Sequence, residues 1–282
     1  MDENKVAPMM DVTDYTDPQC PFCVDQYKSD SVRPIDVARV VAKLDEYLSH
    51  NDYAAAERHL KYWLEEAKQG NDLRGEFSLR EECMGLYRKL GREQEALENA
   101  ERAIALIDAL ELRGTVSAAT ALLNAATVYK AFGRAEKAEP LFLDAKAIYE
   151  EKLPADDSRV AGLYNNYALA LSDLKKHEEA RAFFLKALDV LRKVEGSRPE
   201  QAITELNLAT LAEAQYGLEK GEEEIENRLT NAETLLLKEQ NPHGGNFAFV
   251  AEKCASVFGY YGWFAVEAEL KEISERIYGG KE

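Results

Sequence analysis

Three stretches of the chain align residue for residue: GREQEALENAERAIAL (residues 91–106), GRAEKAEPLFLDAKAI (133–148) and KKHEEARAFFLKALDV (175–190). The step between copies is 42 residues each time, and a weaker copy, NDYAAAERHLKYWLEEA (51–67), fits with a step of 40 residues. Alanine recurs in the three copies at two registers: Ala96, Ala138 and Ala180, then Ala103, Ala145 and Ala187. Self-similarity at a fixed period of this length is typical of repeat architectures, so the repeat decides the fold.

Each repeat contains two helices. Residues 116–131 carry no proline or glycine and end before Gly133, where glycine suits the positive φ at which many helices end. A second helix is predicted from about Ala135 to Lys152, because Pro154 prevents its continuation. A lone hairpin cannot bury its apolar face, so the hairpins must stack. We therefore predict an all-α fold, an α-α superhelix or solenoid of about five to six helical hairpins.

The pattern resembles the tetratricopeptide repeat, whose signature is a small residue late in the first helix, a turn glycine and a small residue early in the second. The 42-residue step is longer than the usual 34 of that family. It is similar to the kinesin light chain version, as NNYALALSDLKKHEEARAFFLKAL (from Asn165) and GRAEKAEPLFLDAKAIYEEKL (from Gly133) illustrate. The likeness covers about residues 35–195 well and the remainder weakly. Without the long heptad segment of a kinesin light chain, it implies the repeat type and not the motor role.

Asparagine recurs at one register of three successive first helices, at Asn124, Asn166 and Asn207. Asparagine is a mediocre helix former, so its repetition inside helices suggests use. A carboxamide can bind the C=O and N–H groups of an extended peptide, which is the role that the resemblance implies for these three. The neighbouring groove positions are Asn165, Leu123, Thr127, Lys130, Leu169, Ser172, Thr210 and Glu213. Bonds between neighbouring helices, or simple exposure to water, are the alternatives.

The first two repeats place Glu81, Glu82 and Arg88 on this face instead, so the chemistry of the groove changes along its length. The net charge of −17 repels phosphate backbones and anionic lipid. We therefore expect no nucleic acid or membrane partner, and a neutral or basic protein or peptide instead. Solubility alone is the other explanation of the charge.

The ends of the chain differ from the repeats. We predict an irregular arm over residues 1–33, the repeat array over 34–240 and an atypical capping hairpin over 241–282. The arm holds a C-x-x-C pair, Cys20 and Cys23, which has three interpretations: no chemistry, a metal site completed by distant or second-chain ligands, or a redox-sensitive pair. The last hairpin is rich in aromatic residues (Phe247, Phe249, Phe258, Tyr260, Tyr261, Trp263 and Phe264), which predicts either a bulky cap or a homodimer surface.

No phosphate-binding loop, metalloprotease motif or nucleophile elbow is present in the sequence. We therefore predict a non-enzymatic protein without a cofactor. Because we see no secretory signal and no apolar segment long enough to span a bilayer, we also predict a cytoplasmic location. Cys83 and Cys254 are predicted to be buried small hydrophobic residues. The favoured function is an interaction scaffold that binds an extended peptide or partner protein in its groove. The alternatives are a peptide-responsive regulator of the bacterial peptide-sensing type and a metal or redox switch in the arm.

Overall fold

The regular structure is helical in all the residues that the computed structural model describes, 32–238 and 244–279. These residues form six helical hairpins, and the chain divides into two compact units, one ending at Ile148 and the other beginning at Tyr149. The predicted all-α, tetratricopeptide-like fold of about five to six hairpins is confirmed. No helix in the described ranges has the length and apolarity needed to cross a membrane.

The first unit contains two complete hairpins and most of a third. Its helices are α1 (Val37–Ser49), α2 (Tyr53–Gln69), α3 (Leu73–Lys89), α4 (Glu93–Ala109), α5 (Val116–Ala131) and α6 (Ala135–Lys152), the last crossing into the second unit. The predicted bounds of α5 and α6 are confirmed. Helix α3 contacts α1 on one side and α5 on the other, so the first helices of these hairpins lie side by side.

The second unit contains the remaining hairpins. Its helices are α7 (Ser158–Asp173), α8 (His177–Leu191), α9 (Arg198–Glu233), a π-helical turn (Thr234–Lys238), α10 (Gly245–Tyr260) and α11 (Phe264–Tyr278). Helix α7 packs on α8 and also contacts α9. The first helices of the fourth and fifth hairpins therefore also adjoin.

Helix α9 is two helices joined at a single residue. Gly217 has φ 77° and ψ 167°, far from helical values, and the chain reverses there without a loop. Among the described residues, no loop separates the two helices of this hairpin. A Cβ added at Gly221 would lie 3.3 Å from the carbonyl oxygen of Ala212, so a glycine at this place allows the two halves to pack closely.

A residue with positive φ follows the first helix of each of the six hairpins: Asn51, Gly91, Gly133, Lys175, Gly217 and Gly262. The prediction for Gly133 is confirmed, since its φ is 71°. Aspartate side chains accept backbone hydrogen bonds at the start of several helices, as Asp52 does from the amide of Ala55. Local sequence thus sets where each helix begins and ends.

The core between helices combines alanine with large side chains. Ala138, Phe142, Ala180 and Phe184 are all fully buried, as small residues at close helix crossings and large residues between hairpins should be. Cys83 and Cys254 are buried as predicted, and burial raises the pKa of each thiol to about 12. At that pKa the thiols stay protonated and unreactive.

The N-terminal part of the first unit is anchored at the turn between α2 and α3. The Arg33 amide donates to the Gly70 carbonyl at 2.7 Å, and the Ile35 amide donates to the carboxylate of Asp72 at 2.9 Å. Cys20 and Cys23 lie outside the described residues, and so does nearly all of the predicted arm. The predicted boundaries at 33/34 and 240/241 remain predictions.

The aromatic residues of the last hairpin divide into two groups. Phe247 and Phe258 are buried in the core of the second unit, and Tyr261 and Trp263 pack against that core. Tyr260 and Phe264 are 67% and 68% exposed. Part of the predicted cluster therefore caps the core, while another part stays on the surface.

Candidate functional site

The predicted groove residues of the first unit lie on the half-buried face of α5. Leu123, Asn124, Thr127 and Lys130 are each partly exposed. The side-chain amide of Asn124 donates a hydrogen bond to Glu81 Oε1 on α3, at 3.2 Å. The Thr127 hydroxyl instead donates to the Leu123 carbonyl of its own helix. On this face, the Asn124 amide is therefore hydrogen-bonded to the carboxylate of Glu81 in the preceding hairpin.

Two adjacent carboxylates dominate the same face on α3. Burial raises the pKa of Glu81 to about 7, and the hydrogen bond from Asn124 only partly opposes that effect. Burial also raises the pKa of Glu82, as does the negative charge of Asp45 on α1. Within residues 32–238 and 244–279, no lysine, arginine or histidine forms an ion pair with either glutamate. We call the group formed by the exposed Asp45 and the partly buried Glu81 and Glu82 the acidic patch of the first unit.

In the second unit, two asparagines from neighbouring first helices pair with each other. The amide of Asn207 on α9 donates to Asn165 Oδ1 on α7, at 3.1 Å. Asn166 donates to the Gly162 carbonyl one turn earlier in its own helix, at 2.9 Å. All three side chains are partly exposed, and each amide keeps a second N–H.

The bonds of Asn124 and Asn207 follow one rule of register. One repeat earlier, the position equivalent to Asn124 is Glu82 and the position equivalent to Asn207 is Asn166. Each asparagine bonds the residue directly before that equivalent position, which is Glu81 in the first unit and Asn165 in the second. For Asn166 the residue at that register is Leu123, which cannot accept a hydrogen bond. Two of the three predicted amides thus bond between helices, which was the alternative to a peptide clamp.

The last predicted groove position, Glu213, is bound by side chains of the next hairpin. The hydroxyls of Tyr260 and Tyr261 donate to its two carboxylate oxygens, each at 2.7 Å. These contacts, together with burial, raise the pKa of the Tyr261 hydroxyl. Of the remaining predicted residues, Leu169 and Ser172 are partly exposed and Thr210 is exposed.

A cavity that sequence reasoning missed lies next to the asparagine pair. Its volume is about 440 Å³, and its lining includes Gly162, Asn165, Ile203 and the turn at Val194. A Cβ at Gly162 would meet nothing within 4 Å, so the absent side chain helps to keep the space open. A glycine inside a predicted helix was the available signal.

The faces formed by the first helices of the hairpins carry carboxylates, carboxamides and hydroxyls. Within the described parts of the chain, no group of three or more histidine, cysteine, aspartate or glutamate side chains is placed to hold a metal ion. The patch carboxylates can accept from cationic or amide donors, and the asparagines can both donate and accept.

Repeated helical hairpins with a constant register define a helical-repeat protein. The family profile described as tetratricopeptide repeat matches residues 85–151 and 159–219. Over these two ranges the chain carries tetratricopeptide repeats, as the sequence pattern predicted. Folds of this kind are typically non-catalytic scaffolds for protein interaction.

Solved structures share the fold at low sequence identity. A variant of a protein of nearly identical kinesin light chain TPR-like repeats from Podosopora anserina is 18% identical, with a TM-score of 0.50, covering 70% of this chain and 92% of its own. The apo form of RapI is 13% identical, with a TM-score of 0.50, covering 86% and 97%. A Rap protein complexed with Competence and Sporulation Factor is 14% identical, with a TM-score of 0.50, covering 92% and 79%. No curated protein sequence matches the chain.

Proposed function

We propose that the chain is an interaction scaffold whose first-helix faces bind a partner protein through an extended, basic segment. The observation that carries the proposal is the acidic patch of the first unit. Glu81 and Glu82 are adjacent, partly buried and without a cationic partner among the described residues. An unpaired charge withdrawn from water is unfavourable, and a lysine or arginine supplied by a partner would relieve it.

The second unit supports the same proposal through neutral chemistry. Asn165, Asn166 and Asn207 are partly exposed, and the hydrogen bonds that they make use only some of their donors and acceptors. Such groups can bind the backbone of an extended chain without regard to its sequence. Each neutral hydrogen bond adds only about 0.5–1.5 kcal/mol, so these amides would fix the register of a ligand while its side chains supply affinity.

The test begins with partner capture from a native lysate, followed by overlapping synthetic peptides of the captured protein. Dissociation constants are measured by fluorescence anisotropy. For the tightest peptide we expect Glu81→Gln with Glu82→Gln to weaken binding at least about tenfold, because a hydrogen bond between charged groups contributes about 1.5–3 kcal/mol. The matched control is Glu222→Gln with Glu223→Gln, an exposed adjacent pair on α9 with the same charge change. Equal weakening by both variants would refute a role for the patch.

Asn166→Ala separates binding from scaffold stability. Asn166 bonds only its own helix backbone, so we expect its loss to change the melting temperature little. If it binds the peptide backbone, the affinity should fall about two- to tenfold. An unchanged affinity for every captured peptide would remove Asn166 from the site.

A second candidate is a peptide-responsive regulator, favoured by the structural likeness to a Rap protein complexed with Competence and Sporulation Factor. A short peptide that reduces the hydrodynamic radius would support this function. Capture of a folded partner without compaction would support the scaffold instead.

The predicted metal or redox switch at Cys20 and Cys23 has its own test. Measured zinc content and a free-thiol count of the native protein decide it. Zinc-free protein with two thiols that resist oxidation would end that hypothesis.

A further inference from the structure

The first unit contains a cavity of its own, separate from the cavity beside Asn165 in the second unit. It shares no residue with the acidic patch or with the groove asparagines. Its volume is about 420 Å³, and apolar side chains of α4, α5 and α6 form its walls: Ile104, Ile107, Leu122, Leu141 and Ile148. Asp108, Arg113 and Asp144 stand at its edge. This cavity lies between the second helices of the second and third hairpins, with α5 beside them.

The repeat register shows what occupies the corresponding place in neighbouring hairpins. Leu122 and Leu141 correspond to Arg80 and Asn99 in the second hairpin, and Arg80 donates to Asn99 Oδ1 there at 2.9 Å. In the fourth hairpin the equivalent residues are Tyr164 and Phe183, whose ring centroids are 5.6 Å apart. In both hairpins the two side chains contact each other across the crevice between the two helices.

The fifth hairpin follows the same principle with charged groups. With a step of 41 residues, Glu205 corresponds to Tyr164 and Glu224 corresponds to Phe183. Arg228 bridges them, at 2.9 Å from Glu205 and 3.5 Å from Glu224. The third hairpin differs because two leucines leave the space open.

The fourth hairpin also shows which chemistry completes such a crevice. The Tyr164 hydroxyl donates to Glu150 Oε1 at 2.7 Å, and the Lys186 ammonium lies 4.9 Å from the centroid of the Phe183 ring. Forty-two residues earlier, Glu150 corresponds to Asp108 and Lys186 corresponds to Asp144. The cavity therefore has a carboxylate, Asp108, at the position equivalent to Glu150. It has a second carboxylate, Asp144, at the position where the fourth hairpin has the cation Lys186.

Charge complementarity defines the missing occupant. Arg113 pairs with Asp108 at 2.5 Å and also interacts with Asp144, so the three charged side chains that line the cavity carry one net negative charge. An aromatic ring would restore the packing that Tyr164 and Phe183 provide one repeat later. A lysine or arginine beside that ring would pair with Asp144, and it would also stand near the ring as Lys186 does.

We propose that this cavity is a docking pocket for an aromatic side chain, flanked by lysine or arginine, on a segment of a partner protein. The pocket is independent of the first-helix site and of the function proposed for it. A partner using both would contact two separate surfaces of the first unit.

The probe is the tripeptide acetyl-Lys-Tyr-Lys-amide, titrated into full-length protein labelled at isoleucine and leucine methyl groups. NMR should show saturable shifts of the Ile104, Ile107, Leu122, Leu141 and Ile148 methyl signals. Acetyl-Lys-Ala-Lys-amide, which has the charge without the ring, should leave them in place. Equal shifts with both peptides, or no shifts with either, would overturn the proposal.

Two variants sharpen the test. Leu122→Tyr with Leu141→Phe gives the third hairpin the aromatic pair of the fourth, so it should fold with an unchanged or higher melting temperature and lose tripeptide binding. Asp144→Asn should weaken binding about two- to fivefold, as expected for one surface ion pair. If the double variant misfolds, Leu141→Phe alone serves as the cavity-filling change. Retained affinity in a folded filled variant would refute the pocket, whereas Glu222→Gln with Glu223→Gln should leave tripeptide binding unchanged.

Discussion

Replacing Glu81 by glutamine should stabilise the protein above neutral pH and have little effect in mild acid. Burial raises the pKa of Glu81 from 4.5 to about 7, so the folded chain holds this proton more tightly than the unfolded chain. Between these two values the free energy of unfolding falls as the pH rises, and above about pH 7 the full cost of the buried charge is present. Glutamine keeps an oxygen that can accept from Asn124 but carries no charge.

The magnitude follows from the size of the pKa difference. A rise from 4.5 to about 7 corresponds to about 3 kcal/mol against the charged form. Water reaches part of this side chain and screens the charge, which reduces the expected gain to about 1–2 kcal/mol. Glu81→Gln should therefore be about 1–2 kcal/mol more stable than the wild type at pH 8, and nearly equal to it close to pH 4.5.

Urea unfolding followed by circular dichroism near pH 4.5 and pH 8 measures this difference, and amide hydrogen exchange locates it in α3. Glu222→Gln is the control, because it removes the same charge from an exposed position of the acidic chain. A Glu81→Gln variant no more stable than the wild type at pH 8 would refute the reasoning. A gain that does not change with pH would refute it as well.

Three further predictions concern the scaffold. Phe142→Ala should cost about 3–5 kcal/mol of unfolding free energy in a thermal melt, because the ring is fully buried. Gly133→Ala should cost about 1 kcal/mol through its positive φ alone, whereas Gly85→Ala, in the open surface of α3, should gain about 0.5–1 kcal/mol; equal effects in urea unfolding would contradict this contrast. Cys83 and Cys254 should resist maleimide until the chain unfolds, so mass-spectrometric mapping of either adduct in native protein would show that their burial is incomplete.

Much of the fold could be predicted because the signals are local. The bounds of α5 and α6 follow from Gly133 and Pro154, which act within one or two residues of the chain. The break at Gly217 was harder to place, because the residues on both sides continue a helical pattern. Its glycine marked the turn, but only packing of the two halves shows that no loop intervenes.

The binding faces were predicted less completely, because side-chain partners depend on neighbouring helices. The register identified Asn124 and Asn207, but it did not show that each amide bonds a residue one position earlier on the preceding first helix. Glu213 was assigned to the groove, while the tyrosines that bind it come from a hairpin nearly 50 residues later. The cavity beside Leu122 and Leu141 could not be predicted from local sequence, because its lining comes from three helices, α4, α5 and α6.

The pair of side chains between the two helices of each hairpin varies freely while the backbone register stays constant. Arginine with asparagine, leucine with leucine and tyrosine with phenylalanine all occupy one structural slot. Since repeats of this kind interact chiefly with their nearest neighbours, duplication or recombination of a single 42-residue cassette can transfer such a slot intact. Evolution can thus diversify the ligand preferences of the array by shuffling whole modules, without redesigning the backbone that displays them.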